Sequence, residues 1–151
     1  MTSAVDTSFI PDLPRGPLDT YRSRANFDWK KLRLIFEDAY TLKIKYKAWN
    51  TLEADPLFAK PKCTLPADEQ KRRTAMQVNR LTDLNLVPPE IYDLSYKHKT
   101  KFLMSINEAL HSICPSMSVK AALGTGLFTN ALNAMGSERH LDYYNAAWNV
   151  D

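Results

Sequence analysis

Glycine is scarce. Four glycines in 151 residues argue against an all-β fold, whose many tight turns need left-handed backbone. Cysteine is scarcer. Cys63 and Cys114 are too few for a disulfide scaffold, and a reducing, intracellular compartment is the simpler expectation. No apolar run approaches the roughly 20 residues that a membrane span requires. Met1 to Ile10 carries neither a basic nor an apolar stretch, so no secretory leader is visible. Neither sign of charge dominates. With 20 basic and 17 acidic residues the formal charge is +3, which neither demands nor excludes a nucleic-acid partner. No repeat of solenoid period and no low-complexity tract is found.

What is present is periodicity. Apolar residues make up 44% and charged residues 25%, the balance of one globular domain with a real core. The clearest stretch runs from Phe102 to Trp148. Phe102, Leu103, Ile106, Ala109, Leu110 and Ile113 recur at the spacing of one helix face. Pro115 ends that helix, because it lacks an N–H and forces its predecessor out of the helical region. The spacing predicts a second helix over Ser116 to Met135. Its Ala122, Gly126, Ala131 and Ala134 are small enough to admit another helix closely. Gly136 is placed to end it in the left-handed conformation. Ser137 is the candidate cap of a third helix, with Glu138 near its positive end and Leu141, Tyr144 and Trp148 on its apolar face.

The preceding chain reads in the same terms. Met1 to Ser8 is polar and is expected to fray. Pro11, Pro14 and Pro17 mark an extended arm laid over the surface, before a short helix over Leu18 to Arg24. Asn26 or Asp28 caps a helix carrying Trp29, Leu32, Ile35, Phe36 and Ala39, continued by Leu42, Tyr46, Trp49 and Leu52, with a bend near Glu37 and Asp38. Leu42 to Lys47 alternates as a strand would, but the helical spacing on both sides favours helix. Lys43, Lys45 and Lys47 read as a solvated face. Pro66 opens a further helix, carried by Ala75, Met76, Asn79 and Leu81 to about Leu86. In it Lys71, Arg72 and Arg73 are expected to pair with nearby carboxylates. Pro88 and Pro89 break the chain again, and Glu90 to Leu94 forms a single turn.

Chemistry is hard to find in these residues. His98, His111 and His140 are far apart in sequence, and His111 with Cys114 is two ligands where a metal needs more. Gly124-Thr125-Gly126 resembles part of a dinucleotide loop, yet it follows no strand and lies inside an apolar helix, so close helix packing is the better reading. Cys114 reads as a buried structural thiol. Glu108, Glu138 and Asp142 are not placed as an acid and base pair. Phe102, Met104, Ile106 and Leu110 fit an acyl-chain tunnel in principle, but read as core.

Two stretches carry a resemblance. The first is Leu13-Pro14-Arg15-Gly16-Pro17-Leu18-Asp19 with Tyr21, Trp29-Lys30 and Leu52-Glu53-Ala54-Asp55-Pro56-Leu57-Phe58-Ala59. The second is Gly136-Ser137-Glu138-Arg139-His140-Leu141-Asp142-Tyr143. Together they resemble the N-terminal region of the peroxisomal acyl-CoA oxidases, of the branched-chain, pristanoyl type. The resemblance implies an all-α fold, the N-terminal helical-bundle domain of the acyl-CoA oxidase and dehydrogenase fold, with about five to seven helices. An extended arm would span 1–17 and the helical domain 18–151. In the family a β-domain and a C-terminal helical domain follow. Such oxidases use FAD to convert acyl-CoA and O2 to trans-2-enoyl-CoA and H2O2 in fatty-acid β-oxidation.

The family's first flavin-contacting motif and its catalytic glutamate would both lie beyond Asp151. No catalytic, cofactor-binding or metal residue is therefore carried onto this chain, and no FAD is expected on it alone. The expected partners are acyl-CoA in the full-length enzyme and the missing domains or a second oxidase subunit, with no nucleic acid and no membrane span. The peroxisome is the implied location. Asn149-Val150-Asp151 is not a peroxisomal address, so the chain as written would be cytosolic, and its ending reads as lying within a longer protein. The alternative is a free-standing, non-catalytic helical module that binds acyl-CoA or a full-length oxidase. A basic nucleic-acid binder resting on Lys43 to Lys47, Arg72-Arg73 and Lys97 to Lys101 is the weakest reading.

Overall fold

The computed structural model describes residues 6–148, apart from the side chains of Tyr92, Thr125 and Trp148. Every regular element among the described residues is helical. Contacts group the chain into two compact units, Met1–Lys43 and Ile44–Asp151. Most of the expected fraying at Met1 to Ser8 falls outside the described residues. At its inner end, Ser8 donates to the Asp6 carboxylate through both its N–H and its hydroxyl, at 2.9 and 2.7 Å.

In the first unit aspartates set the helix starts. Asp19 opens α1 (Asp19–Arg22), shorter than expected, and its carboxylate accepts from the Gly16 N–H at 3.1 Å. Asp28 caps α2 (Trp29–Phe36), accepting from the N–H groups of Lys30 and Lys31. These carboxylates satisfy donors that the first helical turn leaves open. The expected bend is present. Glu37 is extended, at φ −130° and ψ 123°. Asp38 then accepts from the Thr41 N–H at 2.8 Å and starts α3 (Ala39–Glu53). The proline-rich lead-in is tied to its own unit, Asp12 pairing with Lys30 at 2.7 Å and the Pro14 carbonyl accepting from Arg22 at 3.0 Å. Ile10 and Leu42 are fully buried.

The second unit begins within α3, whose Ile44, Ala48 and Leu52 enter the core. They meet Phe102, Ile106, Ala109 and Leu110 of α5 (Tyr96–Ile113), together with Phe58, Ile91 and Met117. The predicted α5 face is the buried one. Met104 lies off it and is exposed, so these residues are core rather than tunnel. Asp55 ends the run after α3 by accepting from the Leu57 N–H at 3.0 Å and starts the 3-10 turn Pro56–Phe58. The Arg80 guanidinium, bonded to it at 2.8 Å, and that N–H hold its carboxyl below the usual carboxylate range. Arg80 belongs to α4 (Ala67–Asp83), which begins directly after Pro66. Pro89–Asp93 forms the expected single turn.

Lys45 corrects the reading of a solvated lysine face. Successive helical residues turn by about 100°, so positions two apart face opposite ways. Lys43 and Lys47 are exposed, while Lys45 falls beside Ile44 and Ala48 and its side chain is 7% exposed. Its ammonium pairs with Glu108 of α5, whose side chain is 65% exposed. Removing one partner of a buried pair is costly, whereas an apolar replacement of the buried one is often neutral. Glu108→Gln is therefore expected to cost about 1 kcal/mol, reduced by the water around Glu108. Lys45→Met is expected to be neutral or stabilising. Urea denaturation checks the order; Lys45→Met proving the more damaging change would refute it.

Beyond Pro115 the structure departs from the expected continuous helix. Cys114 is extended, at φ −150° and ψ 98°, and α6 (Pro115–Ala121) starts on the proline. A π-helical stretch, Ala122–Phe128, follows before α7 (Thr129–Met135). π-helical turns are wider than α-helical ones. Both Gly124 and Gly126 lie in this stretch, and a Cβ on either would meet nothing within 4 Å. Their smallness is not used for helix packing within the described residues.

Gly136 is not left-handed. Its φ is −74° and its ψ 165°. Its N–H donates to the Leu132 carbonyl at 2.7 Å, and an added Cβ would collide with that same oxygen. Glycine is needed here for close approach, not for positive φ. Ser137 then begins the turn Glu138–His140, its N–H donating to His140 Nδ1 at 3.0 Å, and α8 (Leu141–Trp148) follows.

Candidate functional site

The residues singled out for chemistry are held apart or already engaged. His111 Nδ1 lies 2.9 Å from the Asn107 carbonyl, which can only accept, so this nitrogen carries the proton. It lies 2.7 Å from Ser118 Oγ, which in turn donates to Asn107 Oδ1 at 3.0 Å. The three side chains stitch α5 to α6 in a ring where each group has a role. Ser118 is buried, so this serine and histidine contact is structural rather than nucleophilic. Cys114 is half-buried and donates to Gln77 Oε1 at 3.5 Å rather than joining His111. Glu108 goes to Lys45. Glu138 and Asp142 lie on the last turns of the chain and are not brought to it.

Arg73 also departs from expectation. Lys71 pairs with Asp68 at 3.4 Å, as a helix face allows. Arg73 instead donates to the carbonyls of Leu57, at 2.9 Å, and Ala59, and Gln77 donates to the Leu57 carbonyl at 3.0 Å. The chain leaving the 3-10 turn has no helix to satisfy those carbonyls, so the long side chains of α4 do. Below them the segment from Ala59 to Leu65 roofs an open cavity of about 560 Å³. Lys60, Lys62 and Arg73 line it, with Phe58, Leu65 and Ile113 as apolar wall. No pattern along the chain signals it, since the cavity joins α4, α5 and a loop that only tertiary contact brings together.

The last helices present a second surface. Leu123, Leu127 and Met135 are exposed, at 54%, 64% and 82%, and so are Val119, Phe128, Leu141 and Tyr143. Leu127 and Leu141 are exposed and Ala131 is half-buried. The side chain of Trp148 lies outside the described residues.

The partial nucleotide motif Gly124-Thr125-Gly126 lies inside the π-helical stretch, where backbone N–H groups are spent on the helix rather than turned toward a phosphate. No step of flavin chemistry is assigned to this chain. No group of three or more His, Cys, Asp or Glu side chains among the described residues is arranged to hold a metal. No helix among them is long and apolar enough to cross a membrane.

A domain that is all-helical among the described residues is the class these features define. It is consistent with an N-terminal helical domain of an acyl-CoA oxidase. The chain is 33% identical over 147 residues to peroxisomal acyl-coenzyme A oxidase 3 of Homo sapiens, an alignment covering 97% of this chain and 20% of that protein. It is 26% identical over 125 residues to acyl-coenzyme A oxidase acox-3 of Caenorhabditis elegans, covering 83% of this chain and 18% of that protein. These matches support placing the chain, as a partial-length sequence, in the acyl-CoA oxidase family. It spans about a fifth of the length of the curated relatives it matches. No family model matches the chain, and no solved structure matches it significantly.

Proposed function

We propose that this chain is the N-terminal helical domain of an FAD-dependent acyl-CoA oxidase of peroxisomal fatty-acid β-oxidation, and that it does not catalyse the reaction alone. The alignment with an oxidase over 97% of the chain carries this reading. The proposed domain runs over 18–151, preceded by an arm over 1–17. In the complete enzyme, FAD would supply the redox chemistry that turns acyl-CoA and O2 into trans-2-enoyl-CoA and H2O2. The part of this chain is to fold as a helical block and to present Leu123, Leu127 and Leu141, which are exposed, to the rest of the oxidase. Positioning by such a block contributes to rate by holding the reacting groups in place.

Blotting of cell fractions with an antibody raised against Asp19 to Asp55 tests the proposal. A peroxisomal band several times heavier than 17.3 kDa is expected. A cytosolic band at 17.3 kDa alone would refute it and turn attention to a free-standing module that binds acyl-CoA or a full-length oxidase.

A further inference from the structure

The cavity under the segment from Ala59 to Leu65 has an unbalanced charge. Three cationic side chains, Lys60, Lys62 and Arg73, line it, and no Asp or Glu among the described residues does. None of the three makes an ion pair among the described residues. Among the described residues Arg73 is bonded to backbone carbonyls and to no carboxylate. Gathering like charges around one concavity raises the potential inside it and favours an anion there. The cavity of about 560 Å³ is the size of a small-molecule site. It is also two-sided in character, since Phe58, Leu65 and Ile113 form part of its wall.

We propose that this cavity binds an organic phosphate, with the phosphate groups on Lys60, Lys62 and Arg73 and an apolar or aromatic body against Phe58, Leu65 and Ile113. The site is independent of the oxidase reading. It is formed wholly within the second unit and involves none of the exposed apolar residues of the last helices. Guanidinium and ammonium groups both suit phosphate oxygens, the former as a planar fork and the latter as a point charge.

The test uses the full chain and two probes, a nucleoside diphosphate (ADP) and inorganic pyrophosphate, titrated by calorimetry at low salt. ADP is expected to bind about ten-fold more tightly than pyrophosphate, because only ADP fills the apolar wall. Equal affinities would overturn the organic half of the proposal, and no heat with either probe would overturn all of it. Lys60→Ala/Lys62→Ala, both on exposed loop positions, is expected to weaken ADP about ten-fold or more. Lys97→Ala/Lys99→Ala removes the same charge outside the cavity and is expected to leave affinity unchanged. Equal losses in the two variants would mean unspecific attraction and would refute a site.

The two cysteines give a local readout. Both line the cavity, and Cys63 is exposed. Saturating ADP is expected to slow alkylation of Cys63 several-fold, read by mass spectrometry. Alkylation at an unchanged rate would place any binding elsewhere and refute this site.

Discussion

Leu52→Ala is expected to destabilise the second unit by about 3 to 5 kcal/mol, in the upper part of the range for truncating a buried leucine. Leu52 is fully buried and touches the cluster that joins α3 to α5. The loss has two parts. One is the transfer of the deleted carbons, and the other is the void left where neighbours cannot close in. A cavity of about 190 Å³ already lies beside it, lined by Leu52, Phe58 and Ile113 among others. Deleting the side chain enlarges that space rather than letting the wall collapse. For a unit of this size the midpoint of thermal unfolding should fall by roughly 10 °C or more. Circular dichroism of the helical signal measures it directly. A fall of only a degree or two would show that Leu52 does not seal the core.

Gly136→Ala is expected to cost about 2 kcal/mol, the range for forcing atoms into filled space. The added Cβ would meet the Leu132 carbonyl oxygen, whose position is set by α7 and which already accepts from the Gly136 N–H. A backbone atom cannot swing aside as a side-chain end would, so the junction between α7 and Ser137 must deform. Gly124→Ala is the matched control. Nothing lies within 4 Å of its added Cβ, and alanine favours helical backbone over glycine by up to about 1 kcal/mol. Opposite signs for the two substitutions in the same denaturation experiment are the expected result. A neutral Gly136→Ala would remove close approach as the reason for glycine there. The contrast matters for function as well, because Gly136 joins the helices whose outward residues form the proposed oxidase-facing surface.

Much of this was legible from spacing. Phe102, Ile106, Ala109 and Leu110 repeat with the helical period and are buried together. The extended residue before Pro115, the caps at Asp28 and Ser137, and the bend at Glu37 each follow from the preference of one or two residues for a local conformation. Other features were not legible, because their partners are distant in sequence. Arg73 has acidic neighbours along α4, yet its hydrogen bonds go back to Leu57 and Ala59. The alternation Lys43, Lys45, Lys47 looks uniform in one dimension, but the helix turns the middle lysine inward to Glu108, 63 residues on.

The sequence by itself determined the all-helical class, the main helix breaks and the family resemblance, because each rests on local preference, periodicity or residues in fixed order. Only the tertiary structure decided which lysine is buried, that Gly136 serves close approach at negative φ, and that Lys60, Lys62 and Arg73 surround one cavity. These depend on which elements meet, and that is set by the packing of the whole core rather than by any neighbourhood along the chain.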